Sequence, residues 1–178
     1  MSLRVREATP EDTEAIVSVT AEGWRTGYRE IVAAEHLADL PIERWRHEVS
    51  VGLRRPVADA FTLVAELDGR FTGYLYVAAP SRDADLVSEV AELVAIYVEP
   101  RLWGGGAGAA LMLAGLERVA ELGYTEVVLW TFKKNERAIS FYERRGWAAD
   151  GAEKLHTRAQ AAAVRYRRRI GRPGRPPQ

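Results

Sequence analysis

The segment of this sequence most able to bind an anion is a run of small residues, Gly104 to Ala109, between a predicted strand and a predicted helix. Small side chains allow successive backbone N–H groups to turn toward one point without obstruction. The following helix adds N–H groups without intrahelical partners and a partial positive charge. Together these features favour a phosphate or diphosphate site. A tight turn with a closely packed helix has the same composition, so the run alone leaves both interpretations open.

Two other phosphate-binding loops fit this run poorly. A Walker-type loop ends in Gly-Lys-Ser/Thr, whereas Gly108 is followed here by Ala109 and Ala110. A dinucleotide-binding loop is matched loosely by Gly104, Gly106 and Ala109, but it requires an acidic residue at the end of the next strand. That strand ends in Leu-Trp-Thr-Phe at 129–132. A different nucleotide-binding protein therefore remains an alternative supported by the glycine run alone.

A second segment, Asn135 to Trp147, combines a helix start with a tyrosine. Asn135 can cap a helix and offer its side-chain amide to a ligand. Ala138, Phe141 and Tyr142 follow at spacings of three and four, which places them on one helix face. Taken alone, Tyr142 is more typical of a protein core, and Asn135 is more typical of a simple helix cap.

The two segments in this order resemble the GNAT superfamily of N-acetyltransferases. Val98-x-Pro100 followed by the glycine run and Leu111 is similar to the acetyl-CoA loop of that family. The segment from Asn135 to Trp147 is similar to its next signature, Asn-x-x-Ala-x-x-Phe-Tyr-x-x-x-Gly-Phe. Trp103 replaces the usual Gln or Arg, which leaves a cradle of main-chain amides unaffected. The resemblance covers residues 3–170 and is most specific between 92 and 147.

The resemblance implies that the protein transfers acetyl from acetyl-CoA to a primary amine of a small molecule or peptide. It implies a pantetheine arm that runs along Ile96–Val98 like an added strand, with the N–H of Val98 or a neighbour polarising the thioester carbonyl. The residues expected to bind the coenzyme are Ile96, Tyr97, Val98, Trp103, Gly104, Gly105, Gly106, Ala107, Gly108, Ala109, Asn135 and Tyr142.

Tyr142 corresponds to the family tyrosine that protonates the departing thiolate, and a phenol with a pKa of about 10 is protonated at neutral pH. Glu92 lies where many relatives carry a base, with Glu89 as the second choice and a solvated or ion-paired carboxylate as the alternative for both. The sequence contains no cysteine, so direct attack by the amine in a ternary complex is expected. A non-catalytic protein that binds acyl-CoA and has a regulatory role is a further alternative.

The acceptor site and the remaining candidate residues carry weaker signals. Trp24 and Tyr28 belong to a helix pattern that resembles one subset of the family, and with Trp45 they are candidates to line the acceptor pocket, although core packing explains them equally well. The histidines, His36, His47 and His156, form no ligand pair, and no metal is predicted.

Composition narrows the class of protein further. The chain has 178 residues with 25 basic and 25 acidic side chains, so it lacks an electrostatic footprint for nucleic acid or an anionic membrane. We expect one domain over residues 1–170, a disordered tail over 171–178 and a cytoplasmic location. The sequence leaves the oligomeric state open, and a homodimer is the commonest oligomer. Arg165 and Arg167 alternate with apolar residues, which predicts a solvated strand face for the basic run that continues through Arg168, Arg169, Arg172 and Arg175.

The elements that must position these residues follow from periodicity and turn signals. Apolar residues at helical spacing predict an early helix after Thr9 and a second one carrying Ile42, Trp45, Val49 and Leu53. The other predicted elements are strands at 3–6, 61–67, 71–77, 92–98 and 125–132, a helix at 109–122, a short helix after Asn135, and closing strands up to residue 170. This order predicts an α/β fold with a mixed, mostly antiparallel twisted sheet, a strand–glycine turn–helix crossover and flanking helices.

Overall fold

The computed structural model describes residues 2–57 and 59–171. The disordered tail predicted for 171–178 therefore lies, apart from Gly171, outside the described residues. In chain order the elements are β1 (Leu3–Glu7), α1 (Thr13–Gly27), α2 (Ala34–Ala38), α3 (Ile42–Arg54), β2 (Phe61–Leu67), β3 (Arg70–Ala78), β4 (Val90–Val98), α4 (Ala107–Glu121), β5 (Glu126–Phe132), α5 (Glu136–Glu143), β6 (Ala148–His156) and β7 (Ala161–Arg169). Within the described ranges, no helix is long and apolar enough to span a membrane.

The strands form one seven-stranded sheet in the order β1-β2-β3-β4-β5-β7-β6. β4 and β5 pair in parallel, and each other pair of neighbours is antiparallel. The helix α4 makes the crossover between the two parallel strands, as a parallel connection requires. The predicted α/β class with a mostly antiparallel mixed sheet is thereby confirmed.

Helices cover both faces of the sheet. On one face, Leu111 and Val119 of α4 are fully buried against Leu75 and Val127 of the strands. On the other face, α1 buries Ile16 against β2 and β3. Removing a buried leucine from such a core costs about 2–5 kcal/mol, so these contacts fix the sheet that carries the site.

One extra residue in β4 reverses which way its side chains point. Leu93 pairs with Val77 and Ala95 pairs with Tyr76, which leaves Val94 as a bulge. Before the bulge, Leu93 packs into the α4 core, whereas after it Ala95 faces the α1 side. A bulge changes the direction of a strand's side chains in this way because the alternation has a period of two.

The structure differs from the sequence-based boundaries in small ways. The helix α2 was not predicted, because five residues are too few to show a period. The strand β4 begins at Val90 rather than Glu92, and α4 begins at Ala107 rather than Ala109. The helix starts early because Gly106 adopts a left-handed conformation, with φ of 94°, and serves as its N-terminal cap.

The solvated strand face predicted for the basic run of β7 is wrong at Arg165. This side chain is 6% exposed, and it binds the carboxylates of Asp85, Asp150 and Asp83 at 2.7, 2.8 and 3.1 Å. Asp83 also accepts a hydrogen bond from the indole of Trp130 at 2.7 Å. Arg165 thus ties the loop after β3 to the far end of the sheet.

Candidate active site

The parallel strands β4 and β5 separate part-way along their length. Their pairing extends from Val90 and Glu126 to Leu93 and Leu129, while β4 continues to Val98 and β5 to Phe132. The backbone groups that face the gap beyond Leu93 are therefore free to bind a ligand. A cavity of about 110 Å³ occupies this gap.

The glycine turn lies beyond the end of β4. Gly104 and Gly106 have φ values of 84° and 94°, and a Cβ at either position would meet no described atom within 4 Å. The N–H of Gly105 donates to the carbonyl of Leu102 at 3.0 Å, so this residue shapes the turn. No other backbone N–H from Gly104 to Ala109 has a backbone acceptor among the described residues. The turn thus presents open amides at the start of α4, as an anion site requires.

A substitution that removes the left-handed geometry tests the turn. Gly106→Ala places a Cβ in the left-handed region, which costs about 1–2 kcal/mol, and directs a methyl group into the open side of the turn. We expect a lower Tm and a weaker coenzyme Kd by thermal shift and calorimetry. Gly52→Ala, in open space within α3, is the control and should raise stability slightly. An unchanged Kd for Gly106→Ala would contradict the predicted cradle.

The helix α5 places Asn135 and Tyr142 in the wall of the cavity. The Asn135 side-chain oxygen accepts a hydrogen bond from the N–H of Ala138 at 3.3 Å, which confirms the predicted cap and leaves its NH₂ group for other partners. Tyr142 is 8% exposed, and burial raises the pKa of its phenol. Its hydroxyl has no hydrogen-bond partner among the described residues, so a proton is available to a ligand in the cavity.

Trp103 does more than leave the turn undisturbed. Its indole N–H donates to the carbonyl of Val98 at 2.9 Å, and the guanidinium of Arg137 stacks on the ring 3.1 Å from its centroid. Both side chains line the cavity, and Arg137 has no carboxylate partner in the part of the chain that the structure describes. Arg137 is not among the site residues predicted from the sequence, although it lies two residues after Asn135 within the motif that resembles the family signature.

Glu92 and Glu89 have different surroundings. Glu92 is 4% exposed and accepts two side-chain hydrogen bonds from Arg82, from Nη2 at 2.9 Å and from Nε at 3.0 Å. These bonds raise the pKa of the Arg82 guanidinium. Glu89 is exposed in the loop before β4. Of the two carboxylates, Glu92 is the one that reaches an enclosed space, and it does so as an ion pair.

A larger groove of about 1030 Å³ lies between the sheet and the helices α1 and α3. Glu92, Trp24 and Trp45 line it, and Tyr28 lines both the groove and the smaller cavity. Trp24 packs against Tyr28 and Trp45 with ring centroids 5.1 and 5.9 Å away. The three aromatic residues suggested for an acceptor pocket are thus brought together, with Tyr28 and Trp45 each packed against Trp24.

The two spaces join along β4 and β5. The residues that line both are Tyr28, Val94, Ala95, Tyr97, Trp130 and Thr131. Gly23 of α1 makes this junction possible, because a Cβ there would lie 2.6 Å from the ring of Tyr97. Of the predicted coenzyme residues, Ile96, Tyr97, Val98, Trp103, Asn135 and Tyr142 line the smaller cavity, and the turn from Gly104 to Ala109 lies past its end.

The sequence matches a known family over most of this region. Residues 22–147 match the model of the Acetyltransferase (GNAT) family. An uncharacterized N-acetyltransferase of Mycobacterium tuberculosis is 32% identical over 145 residues, which are 79% of this chain and 85% of that protein. The spermidine N(1)-acetyltransferase of Thermoplasma acidophilum is 22% identical over 156 residues, which are 86% of this chain and 92% of that protein.

Other similarities are partial or concern the fold. A mycothiol acetyltransferase of Saccharomonospora viridis is 29% identical over 152 residues, and the chain spans 45% of its length. The crystal structure of the PaiA N-acetyltransferase from Thermoplasma acidophilum in complex with coenzyme A superposes with a TM-score of 0.74 at 20% identity, covering 93% of this chain and 98% of that chain. At this identity the superposition shows that the fold is shared.

Proposed function

This chain belongs to the acetyltransferase (GNAT) family, which makes it an N-acetyltransferase, and we propose that it transfers acetyl from acetyl-CoA to a primary amine of a small molecule or peptide. The observation that carries this proposal is the junction of two spaces along Val94–Tyr97, one narrow and one broad. A donor in the narrow cavity and an acceptor in the groove would meet there. Such proximity converts a reaction between two molecules into one within a complex.

The residues around the narrow cavity suit coenzyme A. Open amides between Gly104 and Ala109 would hold its diphosphate, and the unpaired edge of β4 would hydrogen-bond its pantetheine arm. The NH₂ group of Asn135 and the cation of Arg137 supply further donors beside that path. When bound, acetyl-CoA supplies an acetyl thioester and, after the transfer, a thiolate.

Three groups of this chain would then serve the transfer. A β4 amide, that of Val98 or a neighbour on the unpaired edge of the strand, polarises the carbonyl as a preorganised donor. Tyr142, kept protonated by burial that raises its pKa, donates its proton to the thiolate. Glu92 accepts the proton that the amine loses when its nitrogen bonds to the acetyl carbon. The chain has no cysteine, so the amine attacks the thioester directly.

If Glu92 is the base, a substitution at Glu92 should slow the transfer, whereas the same substitution at Glu89 should not. Glu92→Gln keeps the shape of the side chain and removes the carboxylate that would accept the proton, so we expect kcat/KM for the amine to fall about 100-fold. Glu89→Gln is the matched control and should behave like wild type, because Glu89 is exposed outside the groove. Equal rates for both variants would remove Glu92 from the mechanism.

The direct test of the function follows release of free thiol from acetyl-CoA with a panel of primary amines, and coenzyme binding by calorimetry. We expect heat of binding with acetyl-CoA and amine-dependent thiol release. Binding without thiol release across the panel would indicate a non-catalytic coenzyme-binding module. Stabilisation by NAD or ATP without any by coenzyme A would indicate another nucleotide-binding protein, because a ligand at 100 times its Kd stabilises a fold by about 2.7 kcal/mol.

A further inference from the structure

The broad groove gathers many of the chain's aromatic side chains in its wall. More than half of the chain's five Trp, seven Tyr and four Phe residues line it. Those nearest the junction surround Trp24, whose ring lies 5.1 to 5.9 Å from the rings of Tyr28, Trp45, Phe132 and His156. Aromatic faces and edges pack favourably against another aromatic ring, and faces also attract an ammonium group.

The charges along the groove balance and are already paired. The charged lining residues are Glu7, Glu48, Arg82, Glu92, Arg118 and Lys154. Their ion pairs are Glu92–Arg82 at 2.9 Å, Glu7–Arg118 at 3.6 Å, Glu48–Arg44 at 2.6 Å and Lys154–Asp83 at 3.9 Å. A site for a polycation requires an excess of carboxylates, because electrostatic complementarity selects partners. Among the described residues this groove offers no such excess.

The helix α3 adds apolar side chains that pack against the core on the α1 side of the sheet and stay partly exposed. Every residue of α3 is at least partly exposed, although its apolar stripe includes Trp45, Val49 and Leu53. These three side chains face the groove opposite β3 and β4. Apolar side chains left half-covered around an open groove are typical of a site for a largely apolar ligand.

The residues at the junction and the volume of the groove suit one amine attached to a bulky body. An amine at the shared segment Val94–Tyr97 has the Glu92 carboxylate two residues away along the strand and the Trp24 cluster beside it. At about 1030 Å³, the groove is at the upper end of the range for drug-sized ligands. A small hydrophilic amine would leave most of this apolar surface in contact with water.

We propose that the acceptor is a primary monoamine with an aromatic or otherwise bulky apolar body, and that the Trp24–Trp45 side of the groove binds this body. The inference rests on the proposed acetyltransferase function and specifies its acceptor. It differs from a polyamine acceptor, the substrate in the name of the Thermoplasma relative. The distinction follows from the paired charges and the aromatic wall of this chain.

The experiment compares 2-phenylethylamine, tryptamine and spermidine as acceptors, by thiol release and by calorimetry in the presence of coenzyme A. We expect kcat/KM for the two arylalkylamines to exceed that for spermidine by about 10-fold or more. Trp45→Ala should lower kcat/KM for the arylalkylamines about 10-fold by raising the amine KM, while the acetyl-CoA KM stays unchanged. Trp45→Phe should restore most of this kcat/KM. Leu113→Ala, on an exposed position of α4, is the control.

The outcomes separate this inference from the function on which it rests. Acetyl-CoA binding with equal or better use of spermidine overturns the acceptor class alone, as does an unchanged amine KM in Trp45→Ala. Acetyl-CoA binding with neither arylalkylamine bound or acetylated also overturns it. Failure to bind acetyl-CoA overturns the proposed function and, with it, this inference.

Discussion

Tyr142→Phe is expected to lower kcat about 100-fold while coenzyme affinity stays the same. The hydroxyl has no hydrogen-bond partner among the described residues, so its loss removes a proton donor without breaking an internal contact. The ring, which packs 5.5 Å from Phe141 and 6.1 Å from Trp147, stays in place and preserves the cavity wall. Rapid-quench or steady-state thiol release gives the rate, and calorimetry gives the Kd.

The pH dependence of the wild-type enzyme adds a second check on Tyr142. Burial raises the pKa of this phenol above its ordinary value near 10, so its protonated form persists through the assay range. We therefore expect no loss of kcat from this group between pH 7 and about 9.

Tyr124→Phe is the matched control for Tyr142→Phe, because the Tyr124 hydroxyl binds Asp59 away from the cavity. Full activity in Tyr142→Phe would show that the thiolate takes its proton elsewhere.

Arg165→Ala is expected to lower the free energy of unfolding by about 3 kcal/mol. The substitution leaves the carboxylates of Asp83 and Asp150, which are 16% and 14% exposed, close together without their shared cation. Urea unfolding followed by circular dichroism measures the loss. Arg169→Ala is the control: its side chain is 88% exposed and pairs with Glu126, so the change should stay within about 0.5 kcal/mol.

The contribution of the Arg165 ion pairs to the free energy of unfolding should also depend on pH. Hydrogen bonds from Arg165 lower the pKa of Asp85, so the folded protein holds this carboxylate ionised at a pH where the unfolded chain begins to protonate it. The stabilisation is present above about pH 4 and is lost as the pH falls below it. The difference in the free energy of unfolding between wild type and Arg165→Ala should therefore become smaller as the pH falls. A difference that is small at pH 7 would contradict the account of Arg165.

The parts of the site that the sequence predicted are those that local residue types determine. Glycines at 104 and 106 permit left-handed backbone, and Asn135 caps the helix that follows it, so both segments are recognisable without knowledge of distant contacts. The pairing of β2 with β3 is also a local feature, because Asp68-Gly69 is a typical hairpin turn and connects the two strands. The roles assigned to individual site residues stay predictions.

The parts that the sequence did not predict depend on contacts between distant segments. Arg165 alternates with Val164 and Tyr166 and so resembles a solvent-facing residue. Two of its partners, Asp83 and Asp85, come from a loop about 80 residues earlier in the chain. The bulge at Val94 inserts an apolar residue among other apolar residues, which leaves no mark in the pattern. Whether Trp24 and Trp45 face a groove or a closed core depends on how far α3 stands from the sheet.

The bulge at Val94 changes which residues of β4 face the groove, so even-numbered residues face it before the bulge and odd-numbered residues after it. Glu92 on one side of it and Tyr97 on the other both look toward α1, although one number is even and the other odd. Deleting a single residue at this point would straighten the pleat and turn the Tyr97 phenol away from Tyr28, its neighbour at 3.3 Å. One surplus amino acid thus allows a carboxylate and a phenol from the same strand to serve the same chamber.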